Sequence, residues 1–209
     1  MYWIKVVYFI LMFLALLASF WGYGQKKYVL FIPLLAISLV TELARDFIRP
    51  QYPGLEPWLD LYVVIEYIIL SYIISMFLIS RSKKMLIRAS IFILTPIFLI
   101  NIFGEPLLDV KYLNHLISAP FLCVWTIFYL FEIANTDEEF DIKKNPMFWI
   151  SLGNLLFFSG SFFSYGFGGY LAEKGNDDLA DTILWIARSL NILLYILYIT
   201  GFLCLKRKT

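Results

Sequence analysis

Glu66 is the residue whose position demands a chemical explanation. It lies inside residues 58–80, WLDLYVVIEYIILSYIISMFLIS, a stretch long enough to cross a bilayer. With a helical rise of about 1.5 Å per residue, its carboxylate sits roughly 12 Å below Trp58, about a third of the way into a hydrocarbon core. An ionised side chain at that depth costs at least ~2.5 kcal/mol, so it must face protein or water and have a partner. Two chemistries meet that demand: a ligand, ion or proton site, or a structural hydrogen bond between helices. Below Glu66 the same helical stripe carries Ile69, Ile73 and Phe77, which argues against a continuous polar channel and for the floor of a cavity open at one end.

Other polar residues fall in similar surroundings. In TELARDF, Glu42, Arg45 and Asp46 share one helical face at spacings i, i+3 and i+4. They read as a self-neutralising cluster at a helix end, more so for Asp46 than for the deeper Glu42. Arg188 lies about 9 Å past the start of the last apolar run, with Asn191 three residues on. An arginine at that depth needs a carboxylate or an anionic ligand. The expectation is that Arg188 pairs with Glu66 or Glu42 beneath an outward-facing pocket, with Asn191, His115 and Asn101 in the same outer layer. The structural alternative is a pair that only fixes helix register.

Catalysis has little to work with. His115 is the single histidine, so bis-histidine haem and multi-histidine metal sites are excluded, and no metal or cofactor is expected. No GxSxG, HExxH, P-loop or GxGxxG occurs. An acid–base set of Glu42, Glu66 or Asp60 with His115 is the most that an enzyme could draw on, and no catalytic residue is assigned. Cys123 and Cys204 both fall in apolar runs and form no redox motif.

The elements that must hold these residues follow from composition. A chain of 209 residues that is 61% hydrophobic and only 16% charged has more apolar surface than a soluble domain of that size can hide, so lipid is its solvent. A formal net charge of +1 with no long basic run gives no reason to expect nucleic acid as a partner. Hydropathy predicts an all-α polytopic membrane protein, one seven-helix domain over 1–209. Its spans are about 1–21, 28–48, 58–80, 89–103, 112–132, 147–165 and 182–205. The first run has a signal-peptide outline, but LLASFWGYG lacks an A-x-A site and ends in interfacial aromatics. The fourth span reads as short and broken by Pro96, preceded by a basic loop with Arg81, Lys83, Lys84 and Arg88 that contacts phospholipid. Residues 49–57, 104–111, 135–146 and 171–181 read as loops. In the sixth span Gly153, Gly160, Ser164 and Gly168 make one small-residue face suited to close helix packing, while Asn154 and Ser161 are placed to bond across helices.

Orientation follows from basic residues. The loops after spans one, three and five, with the C-terminus, hold Lys26, Lys27, Arg81, Lys83, Lys84, Arg88, Lys143, Lys144, Lys206, Arg207 and Lys208, against six elsewhere. That places the N-terminus outside and the C-terminus in the cytoplasm. The polar residues then gather in the outer halves of their helices, and the inner halves are nearly all apolar.

The segments TELARDF, DLYVVIEYIILSYI, NPMFWISLGNLLFFSGSFF and LWIARSLNILLYILYITGF resemble small seven-span bacterial inner-membrane proteins of no assigned activity. The resemblance implies a multi-pass protein of the bacterial inner (plasma) membrane and supplies no catalytic residues. The plan is also like that of rhodopsins, but the last span has no lysine for a retinal Schiff base, and no three-helix repeat like that of seven-span sugar transporters is evident. Three functions remain, in order. The first is a receptor-like sensor with an outer pocket for a small or lipid-like ligand and a membrane signalling partner. The second is a small-molecule or proton-coupled transporter, and the third a lipid-modifying enzyme.

Overall fold

The computed structural model describes residues 2–48, 51–52, 56–104, 112–135 and 142–206, and among them there is no strand. The chain forms two compact units, Met1–Leu107 and Leu108–Thr209. The first holds α1 (Tyr2–Ser19), α2 (Phe31–Leu43), α3 (Glu56–Phe77) and α4 (Arg81–Phe103); the second holds α5 (Leu113–Ala134), α6 (Pro146–Glu173) and α7 (Asp177–Lys206). Six of the seven helices are long and apolar enough to cross a membrane, the build of a multi-pass membrane protein.

The seventh, α2, differs from the span expected over 28–48. It has 13 residues of α-helix, about 20 Å against a hydrocarbon core of about 30 Å, and then widens into a π-helix over Ala44–Ile48. Residues 26–30 ahead of it are turns. Pro33 falls in its first turn, where a missing N–H costs nothing.

The fourth span is neither short nor broken. Helix α4 runs for 23 residues straight through Pro96, and the basic stretch expected as a loop forms its first two turns. A proline inside a membrane helix is absorbed by small backbone adjustments, because no other hydrogen-bonding arrangement is available in lipid. The sixth and seventh spans also overrun their expected ends: α6 has 28 residues and α7 has 30, leaving only residues 174–176 of the expected loop 171–181 outside helix. Gly175, at φ 76°, makes that reversal, in a backbone region that side chains rarely adopt. Most of the expected loop residues 49–57, 104–111 and 135–146, together with Arg207 and Lys208, lie outside the described residues.

In the first unit α3 is central. It contacts both α2 and α4, and Tyr67, Leu70, Ile73 and Ile74 of α3 are buried, as are Phe31, Leu34 and Leu35 of α2 and Ile87 and Phe98 of α4. Tyr67 meets Phe98 edge-on at 5.4 Å and hydrogen-bonds Ser90 at 2.8 Å, joining α3 to α4. In the second unit α6 packs against both α5 and α7. It starts on a cap: Asn145 Oδ1 accepts from the Met147 amide at 3.1 Å, Pro146 takes the first helical position, and Asn145 Nδ2 donates to the Tyr129 hydroxyl at 2.9 Å.

Candidate functional site

The acidic residues Glu42, Asp46 and Glu66 lie toward one end of the first unit, where α1 and α3 begin and α2 finishes. Four residues back from Glu66, one turn of helix away, is Tyr62, and its phenol donates to Glu66 Oε1 at 2.7 Å. The same phenol lies 2.7 Å from Ser38 Oγ on α2, and Ser38 is also 2.9 Å from the Leu34 carbonyl. Tyr62 gives its proton to Glu66, and the single Ser38 proton is shared between the Leu34 carbonyl and the phenol oxygen. The result is a row of serine hydroxyl, phenol and carboxylate crossing from α2 to α3, with the phenol proton directed at Glu66.

Charge surrounds that row. Arg45 Nη1 donates to Glu42 Oε1 at 3.1 Å, an i, i+3 pair at the junction of α2 and its π-turn. Glu42 and Arg45 both lie within electrostatic range of Glu66. Asp46, read as part of the same self-neutralising cluster, instead takes Lys5 of α1 at 2.9 Å. The π-turn re-aims these side chains relative to a regular helix, and such turns recur at functional sites. Glu66 itself is half-buried. Among the described residues it accepts one hydrogen bond, from Tyr62, and forms no salt bridge. A carboxylate has about four lone-pair positions, so most of its accepting capacity is unused.

The other residues singled out in the sequence are placed as follows. Asn101 is half-buried in the last turn of α4. Arg188 is exposed on α7 in the second unit, its guanidinium 4.8 Å from the centre of the Trp185 ring, and Asn191 is half-buried on the same helix. His115 is buried on α5. Its Nε2 lies 3.0 Å from Ser161 Oγ of α6, and its ring meets Tyr165 edge-on at 4.6 Å. Asn154 Oδ1 accepts from the Tyr198 hydroxyl of α7 at 2.6 Å. Ser161 and Asn154 therefore each bond to a neighbouring helix.

The small residues of α6 meet α7. A Cβ at Gly153 would stand 3.2 Å from Leu194 Cδ1 and from Leu197 Cβ, and one at Gly160 would collide with Leu190 Cδ1. Ser164 and Gly168 are buried on the same helix. Among the described residues no group of three or more His, Cys, Asp or Glu could hold a metal ion.

Sequence reasoning missed Tyr62 and Ser38. Tyr62 left a signal, its i−4 spacing from Glu66. Ser38 left none, because the α2–α3 register that brings it to Tyr62 is set by packing. Against known proteins, the chain matches no family model, no curated protein and no solved structure.

Proposed function

We propose that the protein is a seven-span protein of the bacterial inner membrane, N-terminus outside and C-terminus cytoplasmic, acting as a receptor-like sensor. Its ligand is a small or lipid-like molecule that brings a cation or hydrogen-bond donor to Glu66, and its output passes to a membrane signalling partner. The observation that carries this reading is the single neutral hydrogen bond on a carboxylate inside a membrane-capable helix. A carboxylate so placed in an apolar helix is matched by a cationic head on an apolar chain. On this reading α2 crosses the membrane with its π-turn and the flanking turns making up its length.

The probe is a set of long-chain primary alkylamines added to purified protein in neutral detergent. They should raise the Tm of the wild type and leave Glu66→Gln, folded equally well by circular dichroism, unmoved. Equal shifts in both proteins, or none in either, would overturn the reading.

A proton-coupled carrier is the second reading, favoured by the Ser38–Tyr62–Glu66 row itself, in which each step is 2.7 Å and so short enough for proton transfer. Proton flux into reconstituted vesicles that disappears in Tyr62→Phe would move the assignment to the carrier.

A further inference from the structure

The other end of the first unit, where α1 and α3 finish and α4 begins, has the opposite electrostatic character. Lys26, Lys27, Arg81, Lys83, Lys84 and Arg88 belong to it, and neither 19–35 nor 70–95 contains an aspartate or glutamate. The tertiary contacts bring the two stretches together: Tyr28 meets the Phe77 ring at 5.0 Å and Lys27 Nζ stands 5.2 Å from its centre. Because Arg81, Lys83, Lys84 and Arg88 lie in helix and not loop, their spacing has geometric meaning. Arg81, Lys84 and Arg88 fall at i, i+3 and i+7, one stripe about 10 Å long. Arg81 and Arg88 are exposed and Lys84 half-exposed, and among the described residues none of the three side chains has a hydrogen bond or ion pair. The stripe continues directly into apolar surface: Phe92 is 83% exposed and Leu99 37% exposed on the same face.

A row of unpaired cations running into bare apolar helix is the negative image of one molecule, a phospholipid with an anionic headgroup. We propose that this face of α4 is a docking track for such a lipid. Arg81, Lys84 and Arg88 take the headgroup phosphate and its second anionic or polar group, and Phe92 and Leu99 lie along an acyl chain. Arginine suits the position because its apolar stem lies along the helix while the guanidinium reaches up to a phosphate oxygen with two parallel donors. A zwitterionic lipid offers the same phosphate but brings its own cation, which the stripe repels. The track therefore discriminates by headgroup charge. It does not depend on the reading of Glu66, which sits at the far end of the unit.

The test uses the full chain in nanodiscs of equal parts phosphatidylglycerol and phosphatidylcholine, released into the gas phase, with retained lipids identified by mass. The wild type should keep phosphatidylglycerol in preference to phosphatidylcholine. Replacing all three cations, Arg81→Gln with Lys84→Gln and Arg88→Gln, should reduce that preference about a hundredfold, at about 1 kcal/mol for each charge. Should the triple variant not fold, Arg88→Gln alone should cost about five- to tenfold. Lys143→Gln with Lys144→Gln, in the second unit, should leave the preference intact. A wild type indifferent to headgroup, a preference that survives loss of the stripe, or an equal loss in the second-unit variant would each overturn the proposal.

Discussion

Both units carry polar side chains inside membrane-capable helices, but they use them differently. In the second unit two cross-helix bonds seen among the described residues join neutral groups, His115 to Ser161 and Tyr198 to Asn154, and all four residues are buried. Glycines bring α6 and α7 close together, and these bonds fasten helix to helix, although Asn154 Nδ2 itself is buried without a hydrogen-bond partner among the described residues. In the first unit the central polar group is an acid. It is half-buried, holds one neutral bond, and has Glu42 and Arg45 close by. The difference teaches where binding capacity lies. A polar pair locked between close-packed helices fixes register, whereas a carboxylate with unused lone pairs beside a π-turn can take a further donor.

The largest effect should come from breaking the close packing of the second unit. At Gly201 a Cβ would stand 2.7 Å from the Pro146 carbonyl oxygen and 2.9 Å from Ile150 Cγ1, so backbone has to move. Gly201→Val is expected to destabilise by about 3 kcal/mol, read by thermal or denaturant unfolding in detergent. Gly160→Ala meets only the tip of Leu190 and should cost about 1 kcal/mol or less. If the two substitutions cost the same, side-chain packing and not backbone approach sets the α6–α7 distance.

Next in size is Tyr198→Phe, which leaves the buried Asn154 Oδ1 without its donor. A loss of about 1 kcal/mol is expected, by the same unfolding measurement. Glu66→Gln should cost less, because an amide oxygen still accepts from Tyr62: under about 1 kcal/mol, although alkylamine stabilisation disappears. A Glu66→Gln protein that loses more stability than Tyr198→Phe would erase the contrast between the units and make Glu66 a register device.

The helical membrane build was legible because apolar runs of about 20 residues have few other uses in a chain this hydrophobic. Helix ends were not. Arg81–Arg88 read as loop because charge was taken to mark the end of a helix, whereas it marks the depth at which lipid gives way to water, and α4 continues past it. The same reasoning cut α6 and α7 short. Glu66 was legible as an acid out of place, and Tyr62 could have been found from its spacing. Ser38 and the Lys5–Asp46 pair depend on the register between helices, which a single chain does not record. Gly201 went unnoticed because it belongs to no small-residue repeat; its contact is a carbonyl 55 positions earlier, at Pro146.

The smallest effect tests whether charge pairing at the first unit's acidic end is structural at all. Lys5 and Asp46 are 46% and 30% exposed at the side chain and meet at 2.9 Å, joining α1 to the π-turn that follows α2. Exposed pairs of this kind are typically worth about 0.2–1 kcal/mol, since solvent screens them and two long side chains must be ordered. A double-mutant cycle of Lys5→Ala and Asp46→Ala should return a coupling in that range, falling as salt is raised from 0.05 to 0.5 M, values chosen to shorten the Debye length to below about 5 Å. A larger, salt-insensitive coupling would mean that the π-turn depends on α1 for its shape. The Glu42–Arg45 pair beside Glu66 would then be held in place from outside its own helix, and substitutions at Lys5 would reach the carboxylate without touching it.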